Sequence, residues 1–174
     1  MPTSRGQQYN GYILEPNANL QDANLSGLDM SGAQLGGADL RGANLRGADF
    51  TFANLNNADL RGADCTGTNF TKALISAANF EGATLIETNF YNAKAQDSNF
   101  RSQTFRNGCS MVNGIFHRAV FDYSDFGSES DLKLENCQLT WAMLRWMDLR
   151  NARIGWANVQ GANFSNSNLS GKSI

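Results

Sequence analysis

The stretch Ala38-Asp39-Leu40-Arg41-Gly42-Ala43-Asn44-Leu45-Arg46-Gly47-Ala48-Asp49-Phe50 repeats one five-residue phrase: small, short polar, large apolar, then two residues of a turn. Working outward from it, every fifth residue from Leu20 to Phe105 is apolar, and the residue two places earlier is nearly always small. The run includes Leu20, Leu25, Met30 and Leu35, and continues through Cys65, Phe70 and Ala95 to Phe105. With 41% apolar residues in the chain, chance gives such a run roughly once in ten million, before allowing for five registers.

A five-residue period is foreign to both regular structures. An α-helix repeats every 3.6 residues and would smear these side chains around its circumference, while an uninterrupted strand would turn odd multiples of five outward. Short extended segments, each ended by a turn, satisfy the pattern. Two inward positions per five residues, one large and one small, then build a prism. If four sides close a coil, twenty residues make one turn and coils stack at about 4.8 Å.

The segments Ala38-Asp39-Leu40-Arg41-Gly42 and Ala43-Asn44-Leu45-Arg46-Gly47 resemble the A-(D/N)-L-x-x signature of pentapeptide-repeat proteins. That resemblance implies an all-β fold, a right-handed quadrilateral parallel β-helix, and supplies the four-sided cross-section. It covers roughly residues 18–174. Chains this rich in pentapeptides are especially numerous in cyanobacteria, the origin the resemblance implies.

The register survives two interruptions. After Phe105 it slips by one residue, making Met111, Phe116, Phe121 and Phe126 the large inward positions, with Cys109, Gly114, Ala119 and Ser124 as small partners. Three extra residues fall within 127–132, and the register resumes at Leu134, running through Leu139, Leu144, Leu149, Ile154, Val159, Phe164 and Leu169 to Ile174. The expected organisation is an N-terminal tail over residues 1–12 and one solenoid domain over 13–174. Inserted residues lie near 106–110 and 127–132, and the whole makes nearly eight coils.

Four core columns follow. The first side carries Leu20, Leu40, Leu60, Phe80, Phe100, Phe121, Leu144 and Phe164; the third carries Met30, Phe50, Phe70, Phe90, Met111, Leu134 and Ile154. The second begins at Leu25 and the fourth at Leu35. Leu28, Leu132 and Met147 stand at small-residue positions and are expected to strain the wall locally.

Composition narrows the function. A net charge of −2 gives no basic footprint for general nucleic-acid binding. No stretch approaches the about 18 apolar residues of a membrane span, and the N-terminus lacks a signal-peptide core, so a cytoplasmic location without membrane contact is expected. Cys65, Cys109 and Cys137 all fall on inward positions of different sides and are expected as buried free thiols. His117 points outward with no second histidine, so no metal, no cofactor and no catalytic residues are expected. The Asp and Asn residues just before each large residue are expected to bond local backbone groups beside the turns.

The outward columns carry the functional signal. Just after the core residue, the first side presents Arg41, Arg61, Arg101 and Arg145, with Glu81 and Asp122 among them, whereas the third and fourth sides are blander there. Trp141, Trp146 and Trp156 are expected at corners, with Tyr123 one coil below Trp146 and Met143 flanking it. The acidic loop Gly127-Ser128-Glu129-Ser130-Asp131 lies beside them in sequence. The candidate protein-binding set is therefore Arg101, Tyr123, Glu129, Asp131, Trp141, Met143, Arg145 and Trp146.

The expected function is a non-enzymatic protein-interaction or scaffold module, its protein partner unnamed by the sequence. An uncapped C-terminal coil adds the expectation of an end-to-end homodimer. The family resemblance implies a second reading, a DNA mimic that binds a type II topoisomerase such as gyrase. Mixed surface charge and the lack of a C-terminal dimerisation helix disfavour it.

Overall fold

The computed structural model describes residues 7–9, 11–106, 108–124 and 132–172. Phe126, the 127–131 loop with Glu129 and Asp131, and Ile174 lie outside them.

Each pentapeptide lays down one short rung that pairs in parallel with the rung one coil away. Leu20 donates its N–H to the Asp39 carbonyl at 2.7 Å, and Asp39 donates to the Ala18 carbonyl at 2.9 Å. Such bridges join Asn19, Asp39, Asp59, Asn79 and Asn99 in unbroken succession. The first insertion then pairs Asn99 with Val120, the second pairs Val120 with Met143, and the spacing of twenty returns with Met143 and Asn163. The columns thus stay aligned across both insertions.

Among the described residues, two pairings extend beyond single bridges. An antiparallel hairpin of β1 (Gln7–Tyr9) and β2 (Tyr12–Leu14) precedes the first coil, with Leu14 buried in the core and Tyr12 packed against it. Further along, β3 (Thr84–Ile86) pairs in parallel with β4 (Thr104–Arg106).

The corners explain how a chain turns every five residues. Ala23 donates its N–H to the Leu20 carbonyl at 3.1 Å, and Asp22 between them has φ 54°. A bonded turn with positive φ at its third residue has type II character and favours glycine there. Gly42 takes this position with φ 66°, but Trp141 (59°), Trp146 (62°) and Trp156 (54°) adopt the same conformation. Left-handed backbone in a bulky residue costs on the order of 1–3 kcal/mol. The coil ladder offsets it: Trp141 N–H reaches the Gln160 carbonyl at 3.0 Å and Trp146 N–H the Ser165 carbonyl at 3.2 Å.

The expected Asp and Asn contacts are present. Asp39 Oδ1 accepts the Arg41 N–H at 3.2 Å and Asn69 Oδ1 accepts the Thr71 N–H at 3.1 Å, an arrangement repeated along the rod. Inward hydroxyls are satisfied just as locally. Thr68 Oγ1 and Ser98 Oγ each donate to a carbonyl of the coil below, those of Leu45 and Ile75, at 2.7 Å, which removes the penalty of burying them.

The core is a set of stacked ladders. Phe50 and Phe70 lie 5.3 Å apart between centroids and Phe70 and Phe90 5.1 Å apart, with ring planes within 16°. Phe80, Phe100 and Phe121 form a second ladder at 4.9 and 5.0 Å. The two ladders meet edge to face, Phe70 against Phe80 at 88°. Each good aromatic pair contributes about 0.5–1.5 kcal/mol beyond its buried area.

The misfit small positions loosen turns without breaking the ladder. Leu28 stays partly exposed, and its turn bond to the Leu25 carbonyl lengthens to 3.3 Å. Met147 is buried, and its N–H goes to Ser167 Oγ at 2.9 Å. The neighbouring bridges, Asp29 with Asp49 and Asp148 with Asn168, persist.

Candidate protein-interaction face

On the first side, over the coils of Phe100, Phe121, Leu144 and Phe164, four outward columns run parallel to the rod axis. One corner carries Asp97, Arg118, Trp141 and Gly161. Next come Asn99, Val120, Met143 and Asn163. Beyond the core residue stand Arg101, Asp122, Arg145 and Ser165, and the far corner carries Ser102, Tyr123, Trp146 and Asn166. Six of the expected residues, Arg101, Tyr123, Trp141, Met143, Arg145 and Trp146, therefore share this face.

The aromatic corner is ordered. Tyr123 and Trp146 stack with centroids 6.1 Å apart and planes at 9°, yet they remain 61% and 54% exposed. Met143 is 37% exposed. Trp156, 90% exposed, belongs to the third corner, as does Phe52, whose ring lies 5.0 Å from Lys72 Nζ. Neither joins the face.

Sequence reasoning missed Val120. It bridges Met143 in the column that elsewhere on this side is Asn19, Asp39, Asp59, Asn79, Asn99 and Asn163. The available signal was this departure from the Asn/Asp rule, at two successive coils. With no side-chain carboxamide or carboxylate at Met143, the Arg145 N–H is taken instead by Asp122 Oδ1 from the coil below, at 3.0 Å. The same substitution occurs at Ser76, whose N–H goes to Asn56 Oδ1 at 2.8 Å because Leu74 cannot accept it.

Asp122 is the electrostatic centre of the face. Its side chain is fully buried, held by Arg145 through Nη2 at 2.5 Å and Nε at 3.1 Å, with Arg101 Nε at 4.0 Å. Burial pushes its carboxyl upward, but hydrogen bonds from the Arg145 side chain and backbone, with both guanidinium charges, outweigh that and leave it below the usual carboxylate range.

Elsewhere the arginines are also paired. Arg41, Arg46, Arg61, Arg101, Arg118, Arg145, Arg150 and Arg153 each lie within 4.0 Å of a carboxylate. This corrects the expected division into a charged half and a blander half. Arg118–Asp97 stands on the fourth corner and Arg153–Glu135 on the third side, so ion pairs ring the rod.

Cys65, Cys109 and Cys137 are buried free thiols; burial raises all three, and Cys137 is pushed up to about 12. His117 Nδ1 lies 2.7 Å from Thr140 Oγ1. Among the described residues no group of His, Cys, Asp and Glu could hold a metal ion, and no helix is long and apolar enough to cross a membrane.

The family model of pentapeptide repeats matches residues 29–64, 63–101 and 148–171, in eight copies that span more than half the chain. The chain belongs to the pentapeptide-repeat family. Solved structures similar to this pentapeptide-repeat protein include HetL, involved in heterocyst differentiation regulation in the cyanobacterium Nostoc sp. strain PCC 7120. It is 20% identical, with 92% of this chain and 90% of that chain covered and a TM-score of 0.34. Full-length QnrB1, a plasmid-mediated fluoroquinolone resistance protein, is 17% identical, with 82% and 92% covered and a TM-score of 0.46. A pentapeptide repeat protein of the Arabidopsis thaliana thylakoid lumen is 23% identical, with 71% and 74% covered and a TM-score of 0.35. No curated protein matches the chain. Within this pentapeptide-repeat protein, the family match is interrupted between residues 101 and 148. That segment contains both insertions in the register and most of the face.

Proposed function

We propose that this pentapeptide-repeat protein is a non-enzymatic protein-interaction module whose contact surface is the first side around Val120, Tyr123, Trp141, Met143 and Trp146. The observation that carries this reading is the replacement of the polar Asn/Asp column by Val120 and Met143, beside stacked and exposed Tyr123 and Trp146. Neither substitution serves the core, and clustered apolar surface on a soluble face is a mark of recognition. Pentapeptide-repeat proteins are in general structural or interaction modules, which agrees with it.

Met143→Asn tests the reading, because asparagine restores the polar rule of the column. The variant is expected to keep its stability within about 0.5 kcal/mol while losing at least most of the partner captured by the tagged wild-type chain. Undiminished capture by Met143→Asn combined with Trp146→Ala removes this face from the account.

A DNA mimic directed at a type II topoisomerase would require a continuous negative face. The pairing of the described arginines with carboxylates speaks against it. Gyrase supercoiling unaffected by the protein at micromolar levels would agree. A cytoplasmic setting belongs to the proposal, supported by three unpaired buried thiols. So does self-association through the last described coil, whose Ile154, Val159, Phe164 and Leu169 are only partly buried. Sedimentation as a monomer at every concentration would remove that element.

A further inference from the structure

The sulfur atoms of this chain divide sharply by exposure. Cys65, Cys109 and Cys137 are buried, and their raised thiols are kept from the thiolate form that peroxide attacks. Met30, Met111 and Met147 are at most 2% exposed. Met143 is 37% exposed, and among the described residues it is the one sulfur-bearing side chain open to water.

Its place in the rod gives that exposure a consequence. The Met143 backbone is held on both edges, its N–H donating to the Ala119 carbonyl at 2.9 Å and its carbonyl accepting from Phe121 at 2.7 Å. The side chain stands outward in the column of Val120. In other coils the polar side chain of this column accepts the N–H two residues on, as Asn99 does from Arg101 at 3.1 Å and Asn163 from Ser165 at 2.9 Å. At Met143 that donor is already held by Asp122 Oδ1, at 3.0 Å. An oxygen added to the Met143 sulfur therefore finds this backbone donor taken and stands hydrated on the face.

We propose that Met143 is a reversible oxidation site and that its oxidation by peroxide switches the contact face off. The proposal rests on the reading of this side as a protein contact. The thioether sulfur attacks one oxygen of hydrogen peroxide, an S–O bond forms as the O–O bond breaks, and the second oxygen leaves as water with both protons. Sulfur loses two electrons and the peroxide gains them. A methionine sulfoxide reductase restores the thioether, two thiols becoming a disulfide while the oxygen leaves as water. The sulfoxide replaces an apolar side chain with a polar one, and burying that dipole against a partner without a donor costs affinity.

The test treats the full chain with limiting hydrogen peroxide and maps the modified residues by mass spectrometry. Met143 is expected to gain one oxygen well before Met30, Met111 and Met147, with an unchanged melt and shorter retention on a phenyl column. Methionine sulfoxide reductase should reverse the mass and the retention. Capture of the partner taken by the tagged wild-type chain should fall about tenfold on oxidation and recover on reduction. Met143→Leu should show no difference between its own treated and untreated forms. Oxidation of Met30, Met111 or Met147 as fast as Met143, or a lowered melt, overturns the oxidation site. Selective oxidation that leaves capture intact, while Met143→Asn loses it, overturns the switch alone. Capture undiminished by Met143→Asn with Trp146→Ala overturns the contact face and the switch together.

Discussion

Trp141 packs its indole on the backbone of Gly161, one coil further along the same corner. A Cβ added at residue 161 would come within 2.7 Å of the indole Cδ2, and Gly161 itself has φ +70°. Corner side chains lean toward the next coil, as Tyr123 does onto Trp146, and a glycine leaves the space for one.

Gly161→Ala is accordingly expected to destabilise the protein by about 1 kcal/mol or more, from backbone strain and the displaced indole together. In a background with Trp146→Phe and Trp156→Phe, the emission of Trp141 should shift to longer wavelength. A melt and an emission maximum equal to the parent would contradict the packing.

The central phenylalanine ladder predicts a larger effect. Phe70 contacts Phe50, Phe90 and Phe80 and is fully buried, so Phe70→Ala should cost about 3–5 kcal/mol. Urea unfolding measures it directly. A loss below 1 kcal/mol would mean that the column does not carry the core.

What the sequence made legible is the column: a twenty-residue repeat placed Phe50, Phe70 and Phe90 over one another, and the bridges on either side of both insertions keep Phe100, Phe121 and Leu144 aligned. The corner aromatics were legible too, because position within the five-residue phrase fixes which side chains face out. Val120 was overlooked because a single valine reads as unremarkable until its column is seen to be Asn and Asp. The burial of Asp122 was hidden for another reason: it arises from Arg101 and Arg145, 21 residues before it and 23 after, where the insertions break the spacing of twenty.

Acid should weaken the fold through that carboxylate. The folded Asp122 titrates below its usual range, so its contribution is complete above the unfolded value of about 3.9 and is lost as pH falls through the lower folded value. Asp122→Asn is expected to lower stability near neutral pH by about 1.5–3 kcal/mol. It should also reduce the drop in urea midpoint between neutral and strongly acidic pH. Asp39, Asp59, Asp97 and Asp148 are lowered likewise by their arginines, so part of the drop remains. An unchanged pH profile would show that Asp122 is not held by its arginines.

The thiols offer a probe of core integrity. With Cys65, Cys109 and Cys137 buried and raised, iodoacetamide at mildly alkaline pH should leave the native protein unlabelled and modify all three after unfolding. Rapid native labelling at Cys65 would contradict a closed coil there.

The most direct measurement is oxidative footprinting of the chain alone and bound to its captured partner, read by mass spectrometry. Tyr123, Met143 and Trp146 are expected to become protected in the complex while Phe52 and Trp156, exposed on the third corner, oxidise as before. Protection of Phe52 or Trp156 with Trp146 unchanged would contradict it.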